Sequence, residues 1–246
     1  MKGPMRTSPI VLGLALAACG GAPGPKAAGP GGGAAAVTIA TVEKTVPAGE
    51  DLGDAHVRAP FVTVAGNPTA SAAINAALGV PNTEAALAAV TELGEVGIDY
   101  QVGYNGDGLL DLSIIHETMG AYPDSYVAHF LFDVATGKAL KAADLLQADQ
   151  LPALAAALDQ RLQDELTETR KSNPDCVTED DDPYHGEFTV ASLDTIGLMA
   201  GGVVFTYDYD FPHVIQACEP AGVFTLTLAE LKPYLRPDGA LAALAR

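Results

Sequence analysis

Basic residues are scarce in this chain. Thirteen Lys and Arg stand against 31 Asp and Glu, a formal net charge of -18 over 246 residues. So acidic a surface repels nucleic acid phosphates and anionic lipid headgroups, which excludes both as ordinary partners. Cysteine is scarcer still, three in all. No Cys-x-x-Cys pair and no His-Glu-x-x-His is present, so the common zinc signatures are missing. The same holds for the G-x-S-x-G turn of hydrolases, the P-loop and the EF-hand spacing. No internal repeat is visible, and beyond residue 19 no apolar run has the length of a membrane-spanning helix. Nothing in this inventory calls for a cofactor, and none is expected.

The N-terminus carries an address. Lys2 and Arg6 precede "IVLGLALAAC", an apolar stretch too short to span a bilayer as a stable helix. It ends in "LAAC", which resembles the lipobox of bacterial lipoproteins. That resemblance implies a signal peptide over residues 1–18 and a cysteine, Cys19, that is cleaved free and acylated. Gly20 follows where an inner-membrane lipoprotein would carry aspartate, so the resemblance points to the outer membrane, with the protein facing the periplasm or the surface. Two or three acyl chains anchor a protein stably where one does not. Every residue from Gly20 to Ala36 except Lys26 is Gly, Pro or Ala, so residues 19–36 read as an anchor and a tether with a reach on the order of 20 Å. Loss of the leader removes Lys2 and Arg6 and takes the net charge from -18 to -20. The remaining stretch, about 210 residues, suffices for one large domain or two small, intimately packed lobes. The expected division is residues 37–146 and 147–246.

Element signals are clear along most of that stretch. "VTIATVEKTV" and "HVRAPFVTVAG" are β-branched runs that predict opening strands. "NPTASAAINAALG" predicts a helix with Asn67 as N-cap, Pro68 at its first position and Gly79 closing it. "TEAALAAVTEL" predicts a second. "GIDYQVGY" and "LLDLSIIHET", joined by "NGDG", predict a hairpin. "YVAHFLFDV" adds a strand closed by "ATGK". Leu154, Leu158, Leu162 and Leu166 recur every four residues and predict a long amphipathic helix. "EFTVAS", "GVVFTYDYDF" and "GVFTLTL" read as strands, and "AELKPYL" as a short helix. Strands and helices cluster rather than alternate, so the expected class is α+β with mainly antiparallel sheet.

Chemistry-bearing residues are scattered. Asp111 and Ser113 in "DLSIIH" share one strand face and His116 points to the other, which defeats a Ser/His/Asp reading. His116 and His129 fall on adjacent strands and could come close. "CVTEDDDPYHGEF" places Asp180, Asp181, Asp182 and His185 in one short run after Cys176. Adjacent carboxylates repel and cannot all turn inward, so this run is expected to be an exposed acidic loop. With Cys19 lipidated, Cys176 has only Cys218 as a partner, and an oxidising compartment favours the pair. Closing that loop of 42 residues stabilises by about 4 kcal/mol at most in the chain-entropy model. In "FTYDYDF", alternation puts Phe205, Tyr207 and Tyr209 on a core face and Asp208 and Asp210 on a solvated one.

The order of "ASAAIN", "FDVATGKALKAADLL" and "GVVFTYDYDFPHVIQACEPAGVFTLTLAELKPYL" resembles a bacterial extracytoplasmic domain of unknown function. Domains of this type form the ectodomain of the lysozyme-sensing anti-sigma factor RsiV and the accessory part of the peptidoglycan deacetylase PdaC. The resemblance covers residues 37 to 237 and departs at "MGAYPD", where Tyr122 stands in a place usually held by histidine. It implies a two-lobed, non-catalytic module that binds at the cell envelope. The partner expected is a cationic protein such as lysozyme, or peptidoglycan. Asp180, Asp181, Asp182, His185, Asp208, Asp210 and Tyr122 are the candidate contacts. The alternatives are an accessory lipoprotein that holds partner proteins and, with least support, a hydrolase. The address is checked directly: the wild-type chain expressed in a bacterial host should partition into membranes with acyl mass on its N-terminal peptide. Cys19→Ala should release it.

Overall fold

The computed structural model describes residues 35–47, 54–79, 95–119, 123–177 and 182–244. The expected helix at 83–93 lies outside these, as do Cys19, Tyr122, Asp180 and Asp181. Among the described residues, eight strands form two sheets: β1 (Val37–Pro47), β2 (Asp54–Val64), β3 (Glu95–Gly106), β4 (Leu109–Met119) and β5 (Pro123–Asp133) in one, and β6 (Gly197–Met199), β7 (Gly202–Thr206) and β8 (Val223–Thr227) in the other. Each sheet runs in sequence order, and every pairing is antiparallel except that of β2 with β3. The helices are α1 (Pro68–Leu78), α2 (Ala142–Leu145), α3 (Leu151–Ser172) and α4 (Leu228–Leu231), with 3-10 turns between. The fold is α+β with mainly antiparallel sheet, as the clustering of elements predicts.

Parallel pairing of β2 and β3 covers only His56↔Gly97 and Val57↔Ile98. Further along, the edge of β2 is completed by a helix. The Asn75 amide on α1 accepts from Val62 N at 2.9 Å and donates to Val62 O at 2.8 Å, and Ser71 Oγ accepts from Val64 N at 2.8 Å. Side chains of α1 thus satisfy backbone groups that a neighbouring strand would otherwise cover. This gives the "IN" of "ASAAIN" a physical role: Ile74 is fully buried, and Asn75 substitutes for a strand. Helix α1 starts and stops as expected, with Asn67 Oδ1 accepting from Ala70 N and Gly79 at φ 62.

The β3–β4 turn is tighter than its "NGDG" signal suggests. Asp107 (φ 51) and Gly108 (φ 79) form the two-residue loop between Gly106 and Leu109, so the turn uses Asp-Gly and not Asn-Gly. Positive φ at both central positions matches the twist of a hairpin. After β5, Asp133 Oδ1 accepts from the N–H and hydroxyl of Thr136. Gly137 (φ 74) is pressed so closely on α1 that a Cβ there would lie 2.7 Å from Ala70 O. That contact explains the Thr-Gly-Lys turn.

Two hydrophobic cores result. In the first, α1 (Ala70, Ile74, Leu78) covers one face of the large sheet, including Val62, Leu110, Leu112 and Phe132. In the second, Leu154, Leu158, Leu162 and Leu166 of α3 pack against Phe188, Leu198, Phe205, Phe224 and Leu226 around the small sheet. Leu109 and Leu131, on the reverse face of β4 and β5, belong to this second core. The expected strand "EFTVAS" is not formed: the segment runs irregularly into a 3-10 turn over Ala191–Thr195. Its backbone is diverted by side chains, since Asp159 Oδ1 takes Phe188 N and Ser192 Oγ takes Thr189 N. Likewise β7 ends at Thr206, short of "YDYDF". Among the described residues no helix is long and apolar enough to cross a membrane.

Leu162 is fully buried at the middle of α3. Leu162→Ala should destabilise the fold by about 2–5 kcal/mol through lost burial and the cavity left behind, measured as a lower urea midpoint. A loss below about 1 kcal/mol would contradict this packing.

Candidate ligand-binding cleft

A cleft of about 810 Å³ opens between the reverse face of β3–β5 and the chain around the small sheet. Gln101, Gly103, Asp111, Ser113 and His129 supply its floor. Leu198 of β6, the run from Thr206 to Phe211 apart from Tyr209, and Gln216 with Glu219, Pro220 and Ala221 line the opposite side.

The floor is organised by Asp111, the one buried charged or polar residue among those described, 3% exposed. Its Oδ2 accepts from Leu198 N at 2.7 Å and lies 2.8 Å from His129 Nε2. Close approach demands glycine on both sides. A Cβ at Gly103 would sit 2.4 Å from Asp111 Oδ1, and one at Gly197 would sit 2.7 Å from His129 Nε2.

The opposite wall follows from the irregular chain after β7. Asp208 Oδ1 accepts from Asp210 N at 2.9 Å, and Asp210 takes φ 51, a conformation that aspartate tolerates better than most residues. Tyr209 turns the other way: its hydroxyl donates to Glu165 Oε2 of α3 at 2.7 Å. Burial, reinforced by that carboxylate, pushes the phenol well above its ordinary value. Glu165 also accepts from Gly222 N at 3.3 Å. A Cβ at Gly222 would collide with Tyr207 O, and the residue sits at φ 62, so glycine is required there. The expected alternation therefore holds past the end of the strand. Phe205, Tyr207 and Tyr209 pack on the second core, while Asp208 and Asp210 are exposed.

Charge in the cleft has one sign. Asp111, Asp124, Asp208, Asp210 and Glu219 line it, with no lysine or arginine among the described lining residues. The consequence shows at Glu219. Burial, then the nearby carboxylate of Asp208, raises its pKa above the ordinary 4.5, against backbone N–H bonds from Tyr209 and Phe211 that favour the anion.

Cys176 and Cys218 form a disulfide, Cα–Cα 6.3 Å, which ties the lining stretch at Glu219 to the chain just past α3. Asp182 and His185, the described candidates of the acidic run, are not among the residues that line the cleft. Asp182 pairs with Arg170 of α3 at 2.9 Å and accepts from Tyr184 N, and His185 Nδ1 lies 3.0 Å from Asp182 O. Tyr184 is buried and donates to Cys218 O at 3.2 Å. Asp182 is thus half-buried and paired, and the Asp182–His185 segment and the Asp208/Asp210 wall are separate features. His116 and His129 are not brought together either. His116 stacks on Tyr126 with ring centroids 4.4 Å apart, on the sheet face opposite His129. Among the described residues no three His, Cys, Asp or Glu are placed to hold a metal ion.

Asp111, Asp124, His129 and Glu219 escaped the sequence reading as binding residues. Asp111 had a usable signal, a carboxylate inside the apolar run "LLDL"; Asp124 and Glu219 had none.

The architecture has known counterparts. The chain resembles a DUF3298 family member from Bacteroides fragilis NCTC 9343 (15% identity, TM-score 0.53, covering 83% of this chain and 94% of that one). It also resembles a DUF3298 family protein from Pseudomonas aeruginosa PAO1 (15% identity, TM-score 0.51, covering 82% and 95%). At this identity the likeness establishes a shared fold. No family model and no curated relative matches the sequence.

The raised pKa of Glu219 has a sign that can be checked. A folded pKa above the unfolded one means that stability is fully present below the ordinary carboxyl value and is lost as pH rises through the raised value. Glu219→Gln removes that loss, so the variant should be more stable than wild type at pH 7 and no different near about pH 3, by thermal melts. A variant less stable than wild type at pH 7 would show that the carboxylate is held favourably after all.

Proposed function

We propose that the protein is a non-catalytic, lipid-anchored binding protein of the cell envelope, and that its acidic cleft captures a cationic protein such as lysozyme, or peptidoglycan. The observation that carries this reading is the cleft: five carboxylates, no lysine or arginine among its described lining residues, and one carboxyl, Glu219, whose ionisation is already opposed by burial and then by the carboxylate of Asp208. A cation entering it relieves that opposition, so binding is driven by charge the fold holds at a cost. Electropositive partners are also steered to a molecule of net charge -18 at long range. The lipobox and tether add a reason for such a domain to be held at a membrane yet free to meet partners. The sequence resemblance to lysozyme-sensing ectodomains and deacetylase accessory domains supports the choice of ligand.

The test is binding of the immobilised chain to lysozyme, to other basic proteins of similar charge and to soluble wall fragments, at low and high salt. Binding to lysozyme or to wall fragments should be tight at low salt and weaken as salt rises, since exposed charges are screened beyond about 8 Å at physiological ionic strength. The double variant Asp208→Asn, Asp210→Asn keeps the local hydrogen bond and tolerates the backbone at position 210. It should slow association about three- to tenfold while changing dissociation less than about twofold. Absence of binding at low salt, or equal binding to every basic protein, would overturn the reading.

A further inference from the structure

Among the described residues, strand β5 is an edge of the five-stranded sheet. The turn that follows it shows which of its backbone groups face outward. Asp133 N donates to Lys138 O at 3.0 Å, and Leu131 O accepts from Leu140 N at 2.7 Å. The pleat repeats every two residues, so the N–H and C=O groups of His129, Val127 and Ser125 also turn away from β4. Asp124 Oδ1 takes Ser125 N at 2.7 Å. Among the described residues, nothing covers the outward groups of Val127 and His129.

Edge strands in soluble proteins are commonly guarded by lysines, bulges or prolines. Beyond Pro123 at its first position, β5 has none: its register with β4 runs unbroken from Leu109↔Asp133 to Met119↔Pro123, and no lysine lies in it. Val127 is 60% exposed. The unguarded stretch also borders the cleft. Asp124, Ser125, Val127 and His129 line it, together with Asp208, Asp210 and Glu219.

We infer that an extended basic segment of a partner protein docks along β5 as a sixth strand, with alternate lysine or arginine side chains turned into the cleft. The inference rests on the reading of the cleft as a site for cations and adds the mode of binding. Strand addition draws affinity from the main chain and specificity from pockets at every second side chain. Here that pocket is acidic, so it selects basic residues at a spacing of two. Charge also decides against a second copy of this chain, since two molecules of charge -18 repel.

The experiment uses the full chain and four probes: an alternating Lys-Val peptide of about eight residues, enough for a typical strand, the same peptide N-methylated on the amides of one edge, the same peptide N-methylated on the other, and spermine. Calorimetry gives affinities, and hydrogen exchange reports the Val127 and His129 amides. The unmodified peptide should bind and protect both amides. N-methylation of the edge that faces β5 should weaken it about tenfold or more, and spermine should leave the amides unprotected. Equal affinity for all peptides, with exchange unchanged, would refute strand addition while leaving a cleft that binds cations. Failure of every basic probe and of lysozyme would refute the cleft reading itself. Protection of Val127 and His129 that grows with protein concentration, without peptide, would overturn the proposal in favour of self-pairing.

Discussion

Among the described residues, one buried carboxylate bonds the large sheet to the small one. Asp111 interrupts the reverse face of β4, while Leu110 and Leu112 on the other face belong to the α1-covered core. Left unpaired in that position, an anion would cost several kcal/mol. It is paired instead, and its partners come from different places: Leu198 N from the small sheet and His129 from the adjacent strand. The position of β6 over the large sheet therefore depends on satisfying one side chain. The cleft floor, the packing of Leu109 and Leu131 into the second core, and the glycines at 103 and 197 all follow from that requirement.

Helix α3 plays the corresponding part on the other side. Its leucine stripe fills the second core, and its polar residues reach over the rim to hold irregular chain and strand β8. Asp159 takes Phe188 N, Gln163 donates to Gly186 O, and Arg161 donates to Thr225 O. Glu165 holds Tyr209 and Gly222. Segments without regular structure are ordered here by side-chain bonds to a rigid helix, which satisfies backbone groups that no ladder covers. The disulfide adds a covalent tie just beyond the end of the same helix. The wall that carries Asp208, Asp210 and Glu219 is thus fixed from behind.

Holding like charges together opposes folding, and a protein that needed only solubility would spread them over its surface. Concentrating them at a concave site whose floor already contains a buried carboxylate raises the local field and favours any cation that can displace water there. An exposed strand edge beside such a site is a hazard in a crowded compartment unless the wrong partners are repelled. The acidity of the whole chain supplies that repulsion toward its own copies.

Local chemistry alone determined a good part of this fold. Asn67, Pro68 and Gly79 mark α1 because capping depends on side chains adjacent in sequence. The leucines of α3 mark its buried face through the helical period. The hairpin at Asp107 and Gly108 follows from residues that tolerate positive φ, and the aromatic-acidic alternation through Asp210 from the pleat. Cysteine counting found the disulfide. The tertiary structure alone decided which acids share a site. Asp111, Asp124, Asp208 and Glu219 come from separate segments of the chain and meet only in the tertiary structure, whereas of the adjacent acids of "EDDD" only Asp182 is among the described residues. Asp182 is drawn back to Arg170 on α3, and the strand expected at "EFTVAS" yields to hydrogen bonds from Asp159 and Ser192. Those outcomes depend on distances between residues remote in sequence, which no local pattern encodes.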